Sequence, residues 1–127
     1  MTAFLVDTQA TLWFLTDDPQ LSSRAKTSME DPAHLLLVSS ATIWEAAIKS
    51  GLGKLRAPTD LPAVLEAEGF VELPVRSTHA WRVQALPRLP DHKDPFDRLL
   101  VAQALIEGHP IISGDAHLDR YGITRVW

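Results

Sequence analysis

Two short apolar runs constrain the fold of this chain more than any other feature. They are Ala-Phe-Leu-Val within residues 3–7 and Leu-Leu-Leu-Val within residues 34–38. A strand with one face in water alternates apolar and polar residues, whereas an unbroken apolar run is typical of a strand buried on both faces. Such strands occur in parallel sheets that are covered by helices on each side. The two runs therefore predict a parallel sheet inside a helical shell.

The rest of the chain supplies the helices and the remaining strands. Apolar periodicity and capping residues predict helices at 8–16, 21–29, 39–51, 59–68, 77–86 and 94–107, and short apolar runs predict strands at 70–73, 110–113 and 123–127. This alternation is typical of a three-layer α/β/α sandwich with a mostly parallel central sheet. Because the 127 residues contain no repeat or linker, we expect one domain over 1–127.

Composition narrows the chemistry. The cysteine count is 0, which excludes a disulfide framework, a thiolate metal site and a cysteine nucleophile. The formal net charge of -4 means that a polyanionic substrate would need a bound cation to neutralise it. No apolar run reaches the roughly 20 residues of a membrane helix, and the start lacks the pattern of a signal peptide. A cytoplasmic protein without membrane association is expected.

Three carboxylates follow predicted strands and should lie near one edge of the sheet. Asp7 ends the first strand, and Asp115 follows the strand at 110–113. Glu45 lies in the second turn of the helix after the second strand, too far along to be a cap. Ligands of open parallel sheets bind outside the carboxyl ends of the strands, at a switch point of the topology. We therefore expect these three side chains to meet there.

The segment Asp94-Pro95-Phe96-Asp97 supplies two more carboxylates. Proline is favoured at the first helical position, so Asp94 is predicted to be the N-cap and Asp97 its partner in a capping box. Both residues could be caps and nothing more. Their addition to the other three acids instead favours a shared site.

Clustered carboxylates repel one another unless they bind protons or a cation. With oxygen ligands only, the expected ion is Mg²⁺ or Mn²⁺ rather than zinc. The chemistry that fits is hydrolysis of a phosphodiester by metal-activated water. The predicted metal ligands or water-positioning residues are Asp7, Glu45, Asp97 and Asp115, with Asp94 as a cap or a further ligand. Thr8 and Ser113 are either hydrogen-bond partners of these groups or ordinary cap and strand-end residues.

Several motifs along the chain resemble, in order, those of the PIN-domain family, and within it the VapC-type toxins of bacterial toxin–antitoxin pairs. They are Phe-Leu-Val-Asp-Thr at 4–8, Ala-Thr-Ile-Trp-Glu-Ala-Ala-Ile-Lys at 41–49, Gly-Lys-Leu at 53–55, Asp-Pro-Phe-Asp-Arg-Leu-Leu-Val-Ala-Gln-Ala at 94–104 and Ser-Gly-Asp at 113–115. The Asp-Pro-Phe-Asp-Arg sequence is typical of one subgroup.

The resemblance implies a Mg²⁺- or Mn²⁺-dependent endoribonuclease that forms a homodimer and is held inactive by a cognate antitoxin. It also implies that the family's acidic quartet corresponds to Asp7, Glu45, Asp97 and Asp115. Asp94 belongs to the subgroup pattern and not to that quartet. RNA is the implied substrate.

Some further residues have a functional and a structural interpretation. His92 and His117 could be general acids or RNA contacts, but exposed loop positions are expected for both. Arg98 could bind a phosphate or pair with an acid. Lys49, Lys54 and Arg56 form a short basic run that either guides the RNA backbone or lies on a solvated turn. The four tryptophans are expected mainly in the core, with one or two at an interface.

Two other classes of protein are weighed against the nuclease. An aspartate-based phosphatase or phosphotransferase could use Asp7, but the haloacid-dehalogenase pattern needs a second aspartate where Gln9 stands. A receiver domain needs a late lysine that residues 110–115 lack. A non-catalytic acidic interaction module would use its carboxylates only as caps. Its melting temperature should not respond to Mg²⁺ or Mn²⁺.

Overall fold

Five short strands form a single parallel sheet. The computed structural model describes residues 2–55 and 57–127. The strands are β1 (Ala3–Val6), β2 (Leu35–Ser39), β3 (Val71–Leu73), β4 (Ile111–Ile112) and β5 (Arg125–Val126). Their order is β3-β2-β1-β4-β5, and every pairing between them is parallel. The predicted sheet is thus confirmed, with a terminal strand shorter than the predicted 123–127.

Six α-helices connect and cover the strands. They are α1 (Thr8–Leu15), α2 (Ser23–Glu30), α3 (Ser40–Gly51), α4 (Leu61–Ala67), α5 (Ser77–Arg82) and α6 (Pro95–Glu107), within the described ranges. The helix predicted at 77–86 ends early and continues as a 3-10 turn, Val83–Ala85. A second 3-10 helix, Ala116–Tyr121, has no counterpart among the predicted elements. Gly108 ends α6 with a φ of 72°, a left-handed conformation that glycine adopts without strain.

Each face of the sheet carries its own hydrophobic core. Phe4 and Val6 face the side covered by α1, α2 and α4, whereas Leu5 points to the opposite side, where it belongs to the core that α6 completes. Alternate residues of a strand point to opposite faces, so both must be apolar when both are covered. Burial of a side chain such as Leu5 contributes about 1.5–3 kcal/mol. The predicted three-layer sandwich is confirmed.

The strand order creates a crevice beside β1. From β1 the chain builds β2 and β3 on one side and later adds β4 and β5 on the other. The switch point lies between β1 and β4, whose ends are tied by the Asp7 N–H donating to the Ile112 carbonyl at 3.0 Å. Helices that follow neighbouring strands diverge there, which leaves room for a ligand. Residues that directly follow β1 and β4 therefore line this crevice.

Two of the four tryptophans pack against the core and two are exposed. Trp44 and Trp81 are 61% and 75% exposed, respectively. Trp13 and Trp127 pack against the core with their ring centroids 6.0 Å apart. Trp44 lies on the outer face of α3, because the inner face carries the buried Glu45 and Ala46. Among residues 2–55 and 57–127, no helix combines the length and the apolar character that crossing a bilayer requires.

Candidate functional site

Asp7 both caps a helix and lies in the crevice. Its Oδ1 accepts a hydrogen bond from the Ala10 N–H at 2.7 Å, which satisfies one of the free amides at the start of α1. Burial raises the pKa of the Asp7 carboxyl, and repulsion from Asp115 and Glu45 raises it further. Hydrogen bonds from Ser113 and Ala10 oppose this rise. The carboxylate is therefore fixed in place while it lies close to other acids.

Glu45 is a buried carboxylate with two partners of different kinds. It is 5% exposed, and its Oε1 accepts a hydrogen bond from the Thr8 hydroxyl. Its Oε2 lies 2.8 Å from the Lys49 ammonium, one helical turn further along α3. This hydrogen bond is the largest cause that raises the pKa of Lys49, and the charges of Asp94 and Asp97 contribute less. Lys49 thus lies at the acidic site.

Asp97 and Asp115 approach each other from two different elements. Asp97 lies in the first turn of α6, and Asp115 directly precedes the 3-10 helix Ala116–Tyr121, where its Oδ1 accepts the His117 N–H at 2.9 Å. Desolvation by burial and repulsion from Asp94 raise the pKa of Asp97 to about 6. Glu45 and Asp115 add to that repulsion, whereas His92 opposes it. The ionised form of Asp97 is therefore disfavoured unless a cation is nearby.

The four predicted acids thus come from four elements and influence one another's charge. Asp7 and Asp115 line a cavity of about 470 Å³ at the end of β1, together with Trp13, Gly114 and Trp127. Contact between Trp44 on α3 and Phe96 on α6, with ring centroids 5.1 Å apart, brings the Glu45 and Asp97 helices together. Asp97 and Asp115 each direct a carboxylate oxygen toward a common point. Beside them, Asp7 and Glu45 are held in place by hydrogen bonds to other residues of the chain.

His92 is a residue of this site that we expected in an exposed loop. It is 7% exposed, and its Nε2 lies 3.4 Å from Asp97 Oδ2 and 3.3 Å from Asp115 Oδ2. The three side chains offer ligand atoms within 4.8 Å of one another. Only its position two residues before Asp94 pointed to this site in the sequence. His117, in contrast, is exposed as expected.

Asp94 is the N-cap of α6 as predicted, since its Oδ1 accepts the N–H groups of Phe96 and Asp97 at 2.8 and 3.1 Å. The predicted capping box is wrong in its second half. Within the described residues, the Asp97 side chain accepts no hydrogen bond from the Asp94 N–H, because it is directed at His92 instead. The two acids of the Asp-Pro-Phe-Asp motif therefore have different environments.

A substitution series tests the capping role of Asp94. The free energy of unfolding of Asp94→Ala should be about 1 kcal/mol below that of Asp94→Ser, because only serine keeps an acceptor for the amides of the first turn. Both variants lose the charge that repels Asp97, so this comparison isolates capping. Urea unfolding at neutral pH in EDTA measures both. Equal stability of the two variants would contradict the capping role.

Among the described residues, Arg98 pairs with no acid, and its role as a phosphate contact stays a prediction. Its guanidinium donates to the Pro87 carbonyl at 2.8 Å and to the Tyr121 hydroxyl at 3.2 Å. These bonds fasten the loop before α6 to the helix and to the 3-10 helix beyond β4. Lys54 is exposed, and Arg56, the third residue of the basic run, lies outside the described residues.

Comparisons with known proteins agree with this architecture. The model of the PIN domain family matches residues 4–123. No curated protein matches the sequence. Among solved structures, VapBC2 from Rickettsia felis bound to a DNA fragment from their promoter has a TM-score of 0.69 at 11% identity and covers 98% of this chain and 97% of that chain. DNA-bound VapBC from Salmonella typhimurium has a TM-score of 0.67 at 21% identity, with the same coverage of 98% and 97%.

A toxin–antitoxin complex from Klebsiella pneumoniae has a TM-score of 0.59 at 20% identity, covering 88% of this chain and 86% of that chain. At such identities the likeness shows the fold alone. The family model is more specific, because it extends from β1 almost to β5 and so includes every element that carries one of the acids. With a parallel five-stranded sheet, acids at its switch point and a match over nearly its full length, the chain belongs to the PIN-domain family.

Proposed function

We propose that this protein is a Mg²⁺- or Mn²⁺-dependent endoribonuclease and the toxin of a bacterial type II toxin–antitoxin pair. The observation that carries the proposal is the convergence of Asp7, Glu45, Asp97 and Asp115 on one crevice of a PIN-family chain. Three of the elements that carry these acids start at the carboxyl ends of strands, which is where ligands of open parallel sheets bind.

The residues present fit a divalent cation. Asp97 and Asp115 would hold it directly, with Asp7 and Glu45 beside them as ligands or water-positioning groups. Burial and the neighbouring acids raise the pKa of Asp97 to about 6, and a bound cation would compensate that repulsion. When bound, such an ion supplies an activated water and neutralises charge on the phosphate.

The chain's own residues prepare this site. The Thr8 hydroxyl and the Lys49 ammonium fix the two oxygens of Glu45 in the crevice. Ser113 and the Ala10 N–H orient Asp7 in the same way. Lys49 also brings positive charge to the rim of a cluster that would otherwise repel a phosphodiester. Fixed carboxylates accelerate a reaction because no reorganisation is needed when charge develops.

A cognate antitoxin is the proposed regulatory partner. Solved structures of similar fold are VapBC or toxin–antitoxin complexes, which supports a partner of this kind. A homodimer and a cytoplasmic location remain predictions from the family resemblance and the composition. Co-expression with the adjacent small open reading frame should yield a stable complex, and recovery of the free protein alone would contradict the regulatory part of the proposal.

A cleavage assay on total RNA tests the catalytic part. The purified protein should cut RNA in Mn²⁺ or Mg²⁺, stop when EDTA is added and resume when the ion is restored in excess. Cleavage that persists in EDTA after the protein is stripped of metal would contradict metal dependence. Absence of cleavage under all of these conditions would contradict the nuclease.

Two other functions have less support. An aspartate-based phosphatase would use Asp7 as a nucleophile, but one Asp7 oxygen serves as a helix cap and the family match points to nucleases. A non-catalytic interaction module would have caps only, whereas Glu45 is buried and caps nothing. A melting temperature that does not change with Mn²⁺ would support the non-catalytic interaction module instead.

A further inference from the structure

We propose that His92 is a nitrogen ligand that completes, with Asp97 and Asp115, a mixed nitrogen–oxygen site for a divalent cation. The consequence is a site that favours Mn²⁺ over Mg²⁺. This inference rests on the proposed function only in that the acids serve a metal. It goes beyond that function by adding a ligand that the acidic quartet does not include.

The first observation is a buried nitrogen without a partner. His92 is 7% exposed, and its Nε2 has no hydrogen-bond partner among the described residues. A buried polar atom left in this state costs about 1–3 kcal/mol, so such an atom is a candidate contact for an ion or a water molecule. This nitrogen faces two carboxylates, which identifies a cation as the group that fits between them.

The second observation is the spacing of the three groups. Nε2 lies 3.3 Å from Asp115 Oδ2 and 3.4 Å from Asp97 Oδ2, and neither contact has the geometry of a hydrogen bond. Two neighbouring ligands of a six-coordinate ion, each at about 2.1 Å, stand about 3.0 Å apart. The nitrogen and each of the two carboxylate oxygens therefore need to approach by only a few tenths of an ångström to be neighbouring ligands of an ion of that size.

The third observation fixes the orientation of the ring. The Tyr121 hydroxyl lies 2.7 Å from His92 Nδ1, receives a hydrogen bond from Arg98 Nη1 at 3.2 Å and donates to the His92 carbonyl at 3.5 Å. The hydroxyl oxygen can accept the Nδ1–H of His92 while its own proton is donated to that carbonyl, an arrangement that satisfies both groups. Nε2 then carries the lone pair, as a metal-binding imidazole requires. A hydrogen bond on the other ring nitrogen is the usual support of such a ligand.

The donor set determines the choice of ion. An all-oxygen site suits Mg²⁺, whereas an imidazole nitrogen shifts preference toward transition ions. Removing the nitrogen should therefore weaken Mn²⁺ binding more than Mg²⁺ binding. We expect His92→Gln to raise the Kd for Mn²⁺ by about 10–100-fold and to change that for Mg²⁺ by less than about threefold.

Electron spin-echo envelope modulation of the Mn²⁺-loaded protein tests the ligand directly. The wild type should show ¹⁴N coupling to the ion, and labelling with [¹⁵N]histidine should replace it by the ¹⁵N pattern without any change of sequence. The coupling should disappear in His92→Gln and persist in His117→Gln, a matched control whose ring lies 5.7 Å from that of His92 but on the exposed side. Thermal melts of each variant check the fold.

The outcomes separate this inference from the proposed function. Bound Mn²⁺ without nitrogen coupling in the wild type, or coupling retained in folded His92→Gln, would overturn the inference even if RNA is cleaved. Nitrogen coupling that depends on His92 supports it even if no RNA is cleaved, and only the nuclease would then fail. No Mn²⁺ binding at all would overturn both.

Discussion

Asp7→Asn is expected to lower the rate of RNA cleavage by about a hundredfold or more, while the protein stays folded. Asparagine can still accept the Ala10 N–H, so the cap of α1 is kept. Because burial raises the pKa of Asp7, removing its charge does not cost stability. The loss of cleavage would therefore come from the missing carboxylate charge. Initial rates on a defined RNA in Mn²⁺, with circular-dichroism melts alongside, measure both effects.

A second N-cap provides a matched control for this substitution. Asp60 caps α4 by accepting the Ala63 N–H at 3.3 Å, and it lies outside the crevice on an exposed turn. Asp60→Asn makes the same chemical change at the same helical position and should leave cleavage as it is. If Asp7→Asn cut RNA at the parent rate, Asp7 would have no catalytic role. If both variants lost cleavage equally, the loss would reflect helix capping.

Asp97→Asn is expected to stabilise the metal-free protein and to remove its stabilisation by metal. The folded-state pKa of Asp97 is raised to about 6, mainly by burial and by Asp94. A raised folded pKa means that Asp97 stabilises the fold fully at pH values below its unfolded pKa, and that this stability is lost as the pH rises through about 6. At pH 7.5 the ionised carboxylate thus weakens the metal-free protein. Asparagine removes that charge.

Urea unfolding at two pH values, with and without metal, measures both effects of Asp97→Asn on stability. In EDTA at pH 7.5, the free energy of unfolding of Asp97→Asn should exceed that of the wild type by about 1 kcal/mol. This figure is reduced because solvent screens the partly exposed group. Near pH 4 the two free energies of unfolding should differ little. Mn²⁺ at about a hundred times its Kd should raise the free energy of unfolding of the wild type by about 2.7 kcal/mol. The same addition should leave that of the variant almost unchanged. A variant less stable than the wild type in EDTA at pH 7.5 would contradict the electrostatic explanation.

Asp119→Asn is the control of opposite sign. Hydrogen bonds from Arg125, at 2.8 and 3.0 Å, lower the pKa of Asp119. Its contribution to stability is present above the unfolded pKa and is lost as the pH falls through the folded one. Asp119→Asn should therefore destabilise the protein at pH 7.5, with or without Mn²⁺. Stabilisation by both substitutions would indicate a general effect of negative charge on this protein.

The loss of stability that the ionised Asp97 causes is typical of a functional site. Asp94, Glu45 and Asp115 all disfavour its charge, yet α6 places it among them. A chain selected for stability alone would replace one of these acids, and a binding site retains them because the ligand compensates when it arrives. The same reasoning applies to His92, whose Nε2 has no hydrogen-bond partner in the described part of the chain. One cation bound as proposed would satisfy both features.

Local patterns in the sequence were sufficient for the sheet, the helices and the caps. The apolar runs predicted β1 and β2 because burial on both faces leaves no polar positions in a strand. Asp94 was predicted as an N-cap because a cap depends on residues only two and three positions away. The two 3-10 segments, Val83–Ala85 and Ala116–Tyr121, were not predicted as such, since neither has a distinctive period.

Tertiary packing alone decided which side chains meet. The hydroxyl that holds Glu45 is 37 residues away in the chain, and the one that orients His92 is 29 residues away. The exposure of Trp44 and the clamping role of Arg98 likewise depend on which elements pack against them. Periodicity and capping act over about four residues, so the sequence by itself determined the elements and the acidic side chains at strand ends. The position, burial and partner of each acid followed only when β1, β4, α3 and α6 came together around the crevice, because those contacts join residues that no local pattern relates.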